Sequence, residues 1–142
     1  MPSKPGTAGT AVLWAGRLAE RPEAEAFAFQ SSITVDRRLA QEDIQGSRAH
    51  VAMLAERGMI PPDTASALDA ELERLSAELA AGTLAVAPGA EDIHSFIEGV
   101  LTERLGAAGK MIHAGRSRND QVAVDLRLYL KKAGAELRGE LA

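Results

Sequence analysis

The densest concentration of chemically capable side chains is Gly115-Arg116-Ser117-Arg118-Asn119-Asp120. Two guanidinium groups, a hydroxyl and an amide crowd together just ahead of an apolar helical repeat that begins at Val122. A helix start offers backbone N–H groups and the positive end of the helix dipole, and both favour an anion. Arginine grips a carboxylate with two parallel hydrogen bonds. The chemistry implied is the binding of a carboxylate or phosphate. A purely structural reading competes with it: Ser117 or Asn119 caps the helix, and the arginines pair with nearby Asp and Glu. No Gly-rich stretch runs into a Lys-Ser/Thr pair, so a nucleotide cofactor is not indicated.

Two other polar clusters stand out. Gln30-Ser31-Ser32-Ile33-Thr34-Val35-Asp36 precedes a helical repeat, and its hydroxyls could hold an anion. The competing reading is N-capping, which Ser, Thr and Asp all favour. In Glu91-Asp92-Ile93-His94-Ser95 a histidine follows an acidic pair, as a proton carrier or ligand would. Helix neighbours lie three or four positions apart, so Asp92 and His94 need not pair directly. The plainer expectation is that Glu91 and Asp92 start a helix and His94 is half-buried. No His-x-x-x-His pair and no carboxylate group at ligand spacing is present, so no metal site is expected. His50 and His113 each stand alone.

The elements that must position these residues read as helices. Ala40, Ile44, Ser47, Val51 and Leu54 recur at spacings of three and four, which puts them on one stripe. Gly58 suits the left-handed position that ends a helix. Pro61-Pro62-Asp63 suits a first turn. Leu68, Leu72, Leu75 and Leu79 then mark a second helix that should stop at Gly82. The pair forms a helical hairpin. Thr83 to Ala90 is a loop punctuated by Pro88-Gly89. A third helix is expected from about Glu91 to Leu105, ended by Gly106, and Gly106 to Gly115 reads as irregular. A fourth should run from Arg118–Asp120 to the last residue, Ala142, with Val122, Leu126, Leu130, Ala133, Leu137 and Leu141 on one stripe. Val124 and Leu128 lie off that stripe, so its first turns are apolar on more than one side, as in a helix packed by several partners. It carries more apolar surface than three short helices readily cover, which suggests the front piece of something longer, or assembly. The class is all-α.

Composition removes several alternatives. Of the 142 residues, 16 are Lys or Arg and 20 Asp or Glu, a net charge of −4. That lacks the basic footprint of a nucleic-acid or anionic-membrane surface. There is no cysteine, hence no disulfide or thiolate chemistry, which fits a reducing compartment. No apolar run approaches the roughly 20 residues that cross a bilayer. Residues 1–11 read as a disordered leader without the apolar middle of a secretory signal, and the expected location is cytoplasmic.

Placed together, these segments resemble the argininosuccinate lyase and δ-crystallin family. His113-Ala114-Gly115-Arg116-Ser117-Arg118-Asn119-Asp120-Gln121-Val122 is similar to its His-Thr-Gly-Arg-Ser-Arg-Asn-Asp segment. Leu13-Trp14-Ala15-Gly16-Arg17 resembles its opening Leu-Trp-Gly-Gly-Arg. Asp36-Arg37-Arg38-Leu39 with Asp43-Ile44-Gln45-Gly46-Ser47 resembles its first long helix, and Glu91-Asp92-Ile93-His94 its Glu-Asp-Ile-His box. The pieces fall in the family's order and spacing. The departures are Ala15 for Gly, Gln30 for Asn and Ala114 for Thr, and none removes a charge.

The resemblance implies cleavage of argininosuccinate to arginine and fumarate by β-elimination, with no metal or organic cofactor. It implies substrate binding by Ser32, Arg118 and Asn119, with Asp36 and His94 shaping the pocket and Arg116 supporting the loop. The family's proton-transfer His and mobile-loop Ser have no counterpart in residues 1–142. By the resemblance they would fall beyond Ala142, so no catalytic residue is assigned here and the chain alone is expected to be inactive. The implied architecture is an N-terminal helical domain over residues 12–115. Residues 116–142 would then begin the central helix bundle of a homotetramer. Another elimination enzyme of the fumarase/aspartase superfamily, or a non-catalytic crystallin-like domain, is the alternative.

Overall fold

The computed structural model describes residues 24–142 apart from Pro88, so the Leu13–Arg17 motif and the leader lie outside the described residues. Among the described residues every regular element is helical, as the periodicity predicts. Two short helices come first, α1 (Ala24–Gln30) and α2 (Ile33–Asp36). A 3-10 turn over Arg37–Leu39 leads into α3 (Ala40–Glu56). Then come α4 (Pro62–Ala81), α5 (Ile93–Leu105), α6 (Ala107–Lys110), a second 3-10 turn (Met111–His113) and α7 (Arg118–Glu140).

The core follows the apolar stripes. Ile44, Val51 and Leu54 of α3 meet Leu68, Leu72 and Leu75 of α4, and Ile93, Ile97 and Leu101 of α5 join them, all buried. Burying each such side chain contributes about 1.5–3 kcal/mol over leaving it exposed. Leu79 is only partly covered. Gly58 and Gly82 have φ of 64° and 69° and end α3 and α4 in the left-handed conformation, where a Cβ would be strained. The N–H of Thr83 returns to the Glu78 carbonyl at 3.0 Å, a Schellman-type closure. Charged staples tie the helices at the rim. Arg48 takes both oxygens of Asp69 at 2.6 and 3.1 Å, and Arg104 spans Glu71 and Glu78 at 2.7 Å each.

Two expectations need adjustment. Residues 106–115 are not irregular throughout, because α6 and a 3-10 turn occupy 107–113. Gly106 and Gly109 hide the helix from propensity, yet Gly109 is buried against the Leu101 backbone, where no larger residue fits. The fourth helix does not reach Ala142. It stops at Glu140, and Leu141 closes it by returning its N–H to the Leu137 carbonyl, so Ala142 lies outside the helix. The apolar stripe of α7 also faces outward: Val122, Leu126, Leu130 and Leu137 are exposed, and the buried residues of α7 are Gln121 and Asp125. α7 therefore buries polar side chains against α3, with Val124 beside them at Gly46. The surplus of apolar surface on α7 expected from the sequence is real. No described helix is long and apolar enough to cross a membrane.

Candidate functional site

Ser117 and Asp120 build a capping box at the start of α7. The Asn119 N–H donates to Ser117 Oγ at 3.2 Å, and the Ser117 N–H donates to Asp120 Oδ2 at 3.0 Å. The N–H groups of Asp120 and Gln121 also turn back to the Ser117 carbonyl. Most first-turn donors are thus satisfied internally, and an anion there must be held by side chains and by the dipole. The structural alternative weighed from the sequence is therefore present, with Ser117 as the cap. Arg118 is engaged as well: its guanidinium donates to Glu98 Oε2 and to Gln121 Oε1, both at 3.0 Å. Asn119 is exposed and makes no side-chain hydrogen bond among the described residues.

Behind this corner lies a buried charged cluster. His94 is fully buried rather than half-buried, because α5 turns it toward α3 and α7. Its Nδ1 lies 3.1 Å from Asp43 Oδ2 and 3.4 Å from Asp125 Oδ2. A carboxylate only accepts, so Nδ1 carries the hydrogen. Asp43 also accepts from Ser47 Oγ at 3.1 Å and from Gln121 Nε2 at 2.5 Å. Arg116 reaches the same place, its Nη2 donating to Ser47 Oγ at 3.3 Å.

The charges of this cluster are interdependent. Burial acts to raise the Asp43 pKa, but the hydrogen bond and charge of His94, with Gln121 and Ser47, outweigh it and hold it below the usual carboxylate value. Burial acts to lower the His94 pKa, and the bond and charge of Asp43 outweigh that, so it is raised. Burial depresses the Arg116 guanidinium, against the pull of Asp43 and Asp125. Asp125 is pushed up to about 7, first by burial and then by the Asp43 charge. One ligand atom from each of Asp43, His94 and Asp125 falls within 4.8 Å of the others, a spacing that could hold a metal ion. The Arg116 cation facing them and the bond already joining His94 to Asp43 weigh against a metal ion there.

Ser32 and Asp36 sit at the N-terminal start of α5, next to His94. Ser32 occupies a cap position, yet its hydroxyl does not cap: it donates to Asp36 Oδ2 at 2.6 Å. Asp36 Oδ1 accepts the N–H of Ile93 at 3.2 Å, and the Ser32 N–H donates to the Glu91 carbonyl at 2.9 Å. Asp92 caps α5 through the Ser95 N–H at 2.6 Å. α5 thus carries the Ser32–Asp36 pair at its first residue and Arg118 at Glu98. These anchor points are roughly 7.5 Å apart along the axis at the usual rise per residue.

The structure brings Arg116 and His94 into one cluster, and ties Arg118 to Glu98 and Ser32 to Asp36. No hydrogen bond links Ser32 to Arg118 or Asn119 among the described residues. Sequence reasoning missed Asp43 and Asp125 as parts of the site. For Asp125 a signal was present: it is a carboxylate among Val122, Val124, Leu126 and Leu128.

Known proteins bear on this arrangement. The chain matches the lyase family over residues 16–142. It is 52% identical to an argininosuccinate lyase of Moorella thermoacetica over 120 residues, 84% of this chain and 26% of that protein. It is 43% identical to one from Clostridium beijerinckii over 129 residues, 91% of this chain and 28% of that protein. It is 45% identical to one from Halorhodospira halophila over 130 residues, 92% of this chain and 28% of that protein. The chain therefore spans about a quarter of the length of these relatives.

Proposed function

The chain belongs to the lyase family, and from that membership we propose that it is the N-terminal part of an argininosuccinate lyase that releases arginine and fumarate by β-elimination. In that reaction a base removes a proton from the carbon next to a carboxylate. The carbanion is held as an aci-carboxylate, and the guanidinium nitrogen departs with a proton from an acid. Fixed donors aimed at the growing negative charge carry much of the acceleration, and the base needs a pKa near the working pH.

In this reading Arg118 and Asn119 bind the substrate from the start of α7, and Ser32 binds it from the start of α2. Asp36 and His94 shape the pocket, and Arg116 supports the loop. The base and acid come from segments with no counterpart in residues 1–142, placed by the family resemblance beyond Ala142, so the chain alone is inactive. The site is completed in a cytoplasmic homotetramer, and no metal or organic cofactor takes part.

The observation that carries the reading is the position of the Arg116–Asn119 segment. It opens the longest helix, with Arg116 anchored on buried Ser47 and the Asn119 amide free at the surface. The test is to incubate the complete protein with argininosuccinate and follow fumarate and arginine. Equimolar release supports the reading; no release rejects it.

A further inference from the structure

α7 turns a carboxyl group, rather than an apolar side chain, into the interior. Asp125 is 0% exposed, and neither of its oxygens has a hydrogen-bond partner among the described residues. Asp43, equally buried, accepts from three side chains. Three of the cluster's donors thus bond Asp43, which takes the anionic role, while His94 Nδ1 stands 3.4 Å from Asp125 Oδ2 without a hydrogen bond to it, and the buried Nε of Arg116 has no partner among the described residues. Asp125 also sits where α7 lies against Gly46 of α3. A Cβ on Gly46 would stand 3.4 Å from Asp125 Oδ1 and 3.3 Å from a methyl group of Val124. A buried carboxyl held this tightly, with no hydrogen bond to either oxygen among the described residues, suits the uncharged form.

We propose that Asp125 is a positioning residue: as the neutral carboxylic acid it seals α7 against α3, and its ionisation loosens the start of α7 together with Arg116, Arg118 and Asn119. The groups that face it are few. α3 presents Asp43 and Glu42, and α5 presents His94, which also senses Asp92. Arg116 faces it from the segment before α7. Lys132, two turns along α7, is 4.0 Å from Glu42. Burial, Asp43 and Glu42 disfavour the Asp125 anion, while His94 and Arg116 favour it, and the balance puts its pKa at about 7 against 3.8 when exposed. Between those values the packed state binds a proton that the open state does not. Packing therefore weakens as pH rises through this window and levels off above it. The catalytic consequence rests on the lyase reading; the packing claim does not.

The test is pH-dependent amide exchange of residues 118–128 in the complete protein, corrected for chemical exchange, beside KM for argininosuccinate. In the unmodified protein, protection should fall about tenfold per pH unit between pH 5 and 7. Asp125→Asn, similar in size to the neutral acid, should abolish that slope. Asp43→Asn, which removes the neighbouring anion, should make the fall level off at lower pH. KM should rise across the same window in the unmodified protein and stay flat in Asp125→Asn. A slope that survives in Asp125→Asn, or an offset equal at every pH, would overturn the packing claim. Equal KM profiles despite a lost slope would overturn the link to the substrate corner. An unmodified protein that shows the slope but releases no fumarate would reject the lyase reading and leave the packing claim standing.

Discussion

His94 on α5 and Asp43 on α3, separated by 51 positions in sequence, meet at 3.1 Å with both side chains buried. The contact holds three helices together, because Asp43 also accepts from Gln121 on α7. A buried pair of this kind is costly to break, since removing one partner leaves the other charge uncompensated.

The pair sets a pH window. Asp43 titrates below its ordinary 3.8, so its stabilising contribution is present above that value and is lost as pH falls through the folded pKa. His94 titrates above its ordinary 6.5, so its contribution is complete below 6.5 and is lost as pH rises through the folded pKa. Denaturant unfolding of Asp43→Asn against the unmodified chain should show the largest deficit between these limits and a shrinking one on either side. A deficit constant across the acid and alkaline range would contradict the assignment.

Gly109 and Gly99 make a matched pair for stability. A Cβ at Gly109 would lie 2.5 Å from the Leu101 carbonyl carbon and 2.6 Å from the Thr102 nitrogen, both backbone atoms of α5. Gly109→Ala should therefore cost about 1–3 kcal/mol or more. Gly99 lies within α5, and an added methyl group there would meet nothing within 4 Å. Gly99→Ala should stabilise by about 0.5–1 kcal/mol. Urea midpoints that move in the same direction for both would contradict this geometry.

Much of this frame was legible in the sequence because the stripes of α3, α4 and α5 face the chain's own core. Ile44, Val51, Leu68, Leu72 and Ile97 are buried where a period of 3.6 puts them. α7 obeyed the same periodicity, and its surplus of apolar surface was legible too, but its inward face was not. Its leucines point away from this core, while Gln121 and Asp125 point inward to partners contributed by α3 and α5. No local pattern encodes that pairing. His94 was singled out from its acidic neighbours in sequence, but its bonding partner proved to be Asp43, with Asp92 serving as the cap of α5. The α6 turn escaped because Gly106 and Gly109 suppress helix propensity, and tertiary packing on Leu101 supplies what propensity lacks.

Glu98 competes with any anion for Arg118, since it holds Nη2 at 3.0 Å. Partly exposed pairs of this kind are worth about 0.5–1 kcal/mol. If Arg118 binds a substrate carboxylate, Glu98→Gln should lower KM for argininosuccinate by about two- to fivefold, the equivalent of that energy. An unchanged KM would place Arg118 outside the binding surface.

The most direct measurement is steady-state kinetics of Asn119→Ala in the complete enzyme, because the Asn119 side chain is exposed and supports no hydrogen bond within the described residues. The account predicts a loss of kcat/KM of about tenfold or more, corresponding to about 1.4 kcal/mol, with an unchanged melting temperature. Unaltered kcat and KM would contradict the claim that the start of α7 grips the substrate.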